Sequence, residues 1–164
     1  MKCMHLLATL AALALTSTAA AQTKISGTAD CGKPEATHSL EVGDRPGHML
    51  AVSQYKCTWT QPWEIAGVQN KEGVGTETGD ITGDRGRSRG YYVDTMANGD
   101  KAFYRYQNQV SLKDGNPQTS EAQWTLVGGT GKLKGVKGKG VCHGKGKPDG
   151  GGLDQCEGEY ELPK

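Results

Sequence analysis

The segment AQWTLVGGTGKLKGVKGKGVCHGK, residues 122–145, decides the fold. It opens on strict alternation, with Trp124 and Leu126 on one face and Gln123, Thr125 and Val127 on the other. A period of two is that of a half-buried strand. Gly128-Gly129-Thr130-Gly131 then supplies turn residues, and a second strand, rich in repeated glycines, is expected over Lys132 to His143. Glycines inside strand sequence mark bulges, bends and close backbone approach, as where a sheet curls on itself.

The same grammar extends outward in both directions. Downstream, Pro148-Asp149-Gly150-Gly151-Gly152 precedes a last strand from Gln155 to Leu162. Upstream, the strand ending at Val127 begins near Glu121, after the turn Asp114-Gly115-Asn116-Pro117. Tyr91 to Met96 and Lys101 to Val110 flank Ala97-Asn98-Gly99-Asp100, a strong hairpin signal. His38 to Val42 and His48 to Thr60 flank a turn containing Pro46-Gly47, and Thr23 to Ala29 alternates as a first strand. The almost wholly polar stretch Lys71 to Arg89 reads as a ragged edge strand or an ordered loop. No stretch carries a helical apolar stripe. Short strands and turns at this spacing predict one all-β domain over residues 22–164, a small antiparallel sandwich or barrel.

Residues 1–21 are read apart from that domain. They hold Lys2, an apolar stretch from Leu6 to Leu15 and the small residues Ala19-Ala20-Ala21, the pattern of a cleaved signal peptide. The expectation is a secreted or periplasmic protein with no membrane span. Removing Lys2 takes one from the 19 basic residues and leaves them equal to the 18 acidic ones. A neutral mature chain offers no global attraction for a polyanion. Without Cys3, four cysteines remain: Cys31, Cys57, Cys142 and Cys156. In an oxidising compartment they read as two disulfides with three possible connectivities, of which Cys31–Cys57 and Cys142–Cys156 close the shortest loops. No metal site is expected, since no pair has C-x-x-C spacing.

Trp124 to Val127, Gly128-Gly129-Thr130-Gly131 and the small-residue strand Lys132 to Gly140, followed by CEGEYEL, resemble the closing strands of the allene oxide cyclase barrel-like group. That group also holds the plant dirigent proteins and exported bacterial proteins of unknown role. The resemblance covers about Arg89 to Leu162 and implies a small antiparallel, calycin-like β-barrel. It also implies, as an activity, cofactor-free cyclisation of a reactive lipid epoxide inside the barrel. No active-site position of the plant cyclase maps onto a residue here.

Motifs for other chemistries fail on inspection. Gly131-Lys132 is followed by Leu133, and Leu126 stands where a Walker A loop needs its first glycine. A dinucleotide fingerprint fails at Lys134, so no cofactor is expected. Lys132, Lys134, Lys137, Lys139, Lys145 and Lys147 form a local basic run, but it holds no aromatic platform for bases, and no nucleic-acid partner is expected. Asp154, Glu157, Glu159 and Glu161 on the next strand are expected to offset those lysines across a ladder. His38, His48 and His143 read as surface residues, and no Ser-His-Asp set or nucleophile elbow stands out. No catalytic residue is assigned.

The aromatic residues of the middle region are the candidates for a site. Tyr55 and Trp59 share a face of one strand, Trp63 and Glu64 follow its break, and Tyr104 and Tyr106 share a face of another. A small barrel can hold one ligand between aromatic walls and a few polar groups. Tyr55, Trp59, Trp63, Glu64, Tyr104 and Tyr106 are therefore the expected ligand-binding residues, with Glu64 as a part-buried carboxylate beside Trp63. The leading expectation is a barrel that binds a small apolar or amphipathic ligand or serves the cell envelope structurally. The alternative is a cofactor-free cyclase or isomerase acting on a hydrophobic substrate.

Overall fold

Alternation becomes strand along almost the whole chain in the computed structural model, which describes residues 22–163. The leader expected over residues 1–21 lies outside them. Ten strands follow in order: β1 (Thr23–Cys31), β2 (Ala36–Glu41), β3 (His48–Gln61), β4 (Glu64–Ile65), β5 (Val68–Thr82), β6 (Arg85–Met96), β7 (Lys101–Lys113), β8 (Asn116–Gly129), β9 (Lys137–Gly146) and β10 (Gly152–Glu161). One 3₁₀ turn, Gly131–Leu133, interrupts the expected strand over Lys132 to His143, so that strand begins only at Lys137. Among the described residues no helix is long and apolar enough to cross a membrane.

The strands close into an antiparallel barrel of eight, β3-β1-β10-β9-β8-β7-β6-β5, completed by pairing of β5 back onto β3. The β1–β3 join is the shortest wall contact, running from Thr28 opposite Gln61 to Cys31 opposite Cys57. Beyond it β2 takes over as the neighbour of β3, from Ala36 opposite Gln54 to Glu41 opposite Met49. Cys31–Cys57 thus bridges paired residues at the end of that join, and Cys142–Cys156 bridges paired residues of β9 and β10. Crosslinks closing loops of these lengths each stabilise the fold by roughly 3 kcal/mol through the unfolded chain.

Glycines explain how the interior fits. A Cβ at Gly73 or Gly75 would overlap the ring of Tyr92 or Tyr55, and one at Gly140 or Gly158 would overlap that of Trp124. The register agrees, because Trp124 stands opposite Gly140 and Gly140 opposite Gly158. Aromatic rings therefore lie across bare backbone of neighbouring strands, the device by which curved sheets cover their glycines. This corrects the expectation for Lys71 to Arg89. That stretch forms most of the long wall strand β5 and the start of β6, and its inward positions Gly73, Gly75, Gly79 and Gly86 are glycine rather than apolar side chains.

One end of the barrel is plugged. Trp63, Ile65 and Val68 fold in from the β3–β5 connection and pack with Met96, Ala102, Leu126, Leu133 and Val136, all buried. His48 is a second correction. It is 8% exposed, its ring held on the outer face of β3 with Nδ1 2.5 Å from Asp44 Oδ1 and Nε2 3.1 Å from Asp80 Oδ1. Turn geometry brings Asp44 back onto the ring, which no local motif announces.

Candidate ligand-binding cavity

Alternation along β3, β6, β7, β8 and β10 sends Tyr55, Tyr92, Tyr106, Asn108, Ser120, Trp124 and Asp154 inward beyond the plug, around a cavity of about 100 Å³. Trp59, Trp63 and Tyr104 form its inner wall, and Cys31, Cys57 and Cys142 line it with disulfide sulfur. The rings make one connected array. Trp63 lies 4.5 Å from Trp59 and 5.4 Å from Trp124 between centroids, and Tyr104 meets Trp124 edge-on at 5.7 Å. Such tilted and edge-on contacts are the favoured arrangements of aromatic pairs.

Three carboxylates point into this barrel, and each meets a different environment. Asp94, behind the inner wall, accepts hydrogen bonds from Trp59 Nε1 at 2.7 Å and Asn70 Nδ2 at 3.4 Å. Burial nevertheless pushes its pKa up to about 7, against the opposing pull of those hydrogen bonds. Glu77 accepts from Tyr106 Oη at 2.9 Å and Ser88 Oγ at 2.7 Å, while Tyr55 Oη donates to Tyr106 Oη at 3.0 Å. Burial, then the Glu77 charge, raises the Tyr55 hydroxyl, and burial leads the rise of Tyr92, Tyr104 and Tyr106 too. These tyrosines stay protonated throughout the ordinary pH range.

Asp154 is the carboxylate on the cavity wall. Burial alone raises its pKa to about 6. The Cys31 sulfur, bonded to Cys57 and without a proton to donate, lies 3.4 Å from Oδ2. Among the described residues no N–H or O–H donates to this carboxylate. Other polar atoms around the cavity are equally bare: Trp63 Nε1, Trp124 Nε1, Tyr92 Oη, Tyr104 Oη and Asn108 Oδ1 are buried without a protein partner. Buried polar groups are ordinarily satisfied, so this convergence marks the cavity as a place for something that hydrogen-bonds.

Five of the six residues expected to bind ligand, Tyr55, Trp59, Trp63, Tyr104 and Tyr106, line the one cavity. Glu64 does not. It is exposed on β4, because Trp63 and Ile65 take the inward positions on either side of it. The inward carboxylates are instead Asp94, Glu77 and Asp154. Asp154, expected on the outer charge ladder, turns inward instead. Its parity with Cys156, two residues on, is the sequence signal that places it inside. On the outer face the expected pairing does hold for Lys139 and Glu159, which stand opposite each other with Nζ and Oε1 3.5 Å apart. Among the described residues no group of three or more His, Cys, Asp or Glu is placed to hold a metal ion.

Compared with known proteins, the chain matches no family model and no curated protein sequence. The functional reading therefore rests on the barrel interior.

Proposed function

We propose that this is an exported binding protein whose barrel holds a small amphipathic ligand in the aromatic cavity. The observation that carries the reading is the gathering, around one space of about 100 Å³, of seven aromatic residues and of five residues that hold a buried polar atom without a protein partner. Small-ligand sites have this make-up, mostly apolar walls with a few placed polar groups. The two disulfides support export, since such bonds persist in oxidising compartments. The ring of Trp124, laid over Gly140 of β9 and Gly158 of β10 within the segment that carries the resemblance, supports kinship with the allene oxide cyclase and dirigent-like barrels. A cavity of this size suits a ligand of only about four to six non-hydrogen atoms, given that about 150 Å³ accommodates benzene.

Native mass spectrometry of the disulfide-intact protein from its own host tests the reading. A bound mass is expected, and it should disappear when Ala122→Phe fills the cavity. A bare chain that also excludes small aromatic probes overturns it. One observation favours a second reading, a cofactor-free isomerase. Asp154, with its raised pKa, faces Tyr55 and Tyr92 across the cavity, as a general base and its hydrogen-bonding counterparts would. Chemical change of a captured ligand, lost in Asp154→Asn, would favour that reading over simple binding.

A further inference from the structure

Granting that the cavity binds a ligand, we infer that its ligand is a small primary ammonium compound, with Asp154 as the counter-ion. Charge is the first reason. Among the described residues Asp154 is the one acidic residue on the cavity wall, and no Lys, Arg or His lines it. The titratable groups that face Asp154 are Tyr55 from β3, Tyr92 from β6 and Tyr106 from β7, with Glu77 of β5 behind Tyr106 and Asp94 behind Tyr104. None brings positive charge. A carboxylate ligand would meet like charge in a poorly solvated space, and a neutral ligand would leave the Asp154 charge unmatched.

Hydrogen-bonding capacity is the second reason. An ammonium carries three donors and no acceptor. Asp154 has no protein donor, Asn108 Oδ1 is a buried acceptor without a partner, and Ser120 Oγ lies with Asp154 Oδ1 beside the bare Cα of Gly144. These three groups come from β10, β7 and β8, so the acceptors gather where three strands face one space. Gly144 keeps that space open, because a Cβ there would overlap both Ser120 Oγ and Asp154 Oδ1. The remaining wall is aromatic, which favours a cation and shelters a short alkyl chain.

The test titrates the disulfide-intact protein with n-butylammonium, n-butanol and tetramethylammonium, following cavity resonances by NMR. The three probes are close in size and differ in charge and donors. At pH 8 n-butylammonium is expected to bind at least tenfold more tightly than n-butanol. It should lose about tenfold between pH 8 and pH 5 as Asp154 takes up a proton and the competent fraction falls. Asp154→Asn should abolish the preference over n-butanol. Asn108→Ala, which keeps the carboxylate, should weaken n-butylammonium several-fold and spare n-butanol. Equal affinity for n-butanol overturns the ammonium assignment while leaving the cavity reading standing. Equal affinity for tetramethylammonium overturns the role given to the N–H donors. A wild-type protein that none of the three probes enters overturns both readings.

Discussion

Asp94 and Asp154 are the same residue type, both turned into one barrel, and the protein treats them differently. Asp94 lies at the plugged end, where the indole of Trp59 and the amide of Asn70 donate to it. Asp154 lies at the cavity end, where among the described residues no N–H or O–H donates to it and its nearest polar contact is disulfide sulfur. The plugged end buries large side chains against one another, with Ile65, Leu133 and Val136 at 0% exposure. The cavity end spends its inward positions on glycine, serine, asparagine and tyrosine. A carboxylate supplied with donors serves the fold, whereas one left bare is available to an incoming group.

The largest test of this contrast is truncation of the plug. Trp63→Ala should cost about 3–5 kcal/mol, read as a fall in the urea midpoint with unchanged slope. A loss under about 1 kcal/mol would mean that the plug is not what holds the barrel closed.

Next in size is the pH response of the two carboxylates. Both have raised native pKa values, so the folded state keeps protons that the unfolded chain has already released. Their contribution is fully present below pH 4 and is lost as pH rises through about 6 for Asp154 and about 7 for Asp94. Stability should therefore fall by a few kcal/mol from pH 4 to pH 8, the larger part of it through Asp94, whose pKa is raised further. Asp94→Asn should remove most of that slope and Asp154→Asn the remainder, in urea titrations across the range. Asp44 and Asp100, whose pKa values are lowered first by hydrogen bonds from His48 and Asn98, act in the opposite sense in more acidic solution. A slope unchanged in both Asn variants would show that neither carboxylate titrates within the fold.

Smaller still is the response to added volume. Ala102→Val in the plug should cost about 1–3 kcal/mol through overpacking, while Ala122→Val on the cavity wall should cost well under 1 kcal/mol. Thermal melts of the pair compare the two ends at matched chemistry. Equal losses would mean that the space beside Ala122 is already filled. In the same melts Tyr106→Phe should cost about 1 kcal/mol, from the hydroxyl that donates to Glu77 and accepts from Tyr55.

Much of this architecture was legible in sequence because period-two alternation and turn chemistry are local signals. Trp124 and Leu126 on one face, the Asn98-Gly99-Asp100 turn and the short-loop cysteine pairs all read through into the barrel. The β5–β6 hairpin was not legible as wall. Gly73 and Gly75 on the inner face of β5 are covered by Tyr92 of β6 and Tyr55 of β3, so the apolar cover of that wall lies on other strands. The candidate site divides in the same way. Tyr55, Tyr104 and Tyr106 stood out as aromatic residues in alternating strands, whereas Asp154 was hidden by the acidic residues around it. Asp94, between Val93 and Thr95, gave a sign only through its parity with Tyr92 and Met96. His48 needed Asp80 from another strand to become buried.

The glycine floor beneath Trp124 separates the two faces of β9 as substrates for mutation. Inward, at Gly138, Gly140 and Gly144, any side chain would collide with backbone or with the cavity wall, so these positions admit almost no drift. Outward, Lys137, Lys139 and Lys145 are exposed, and each can change without disturbing a ring on the other side. Lineages descended from this chain can therefore vary the charge of its surface while their cavity chemistry stays frozen.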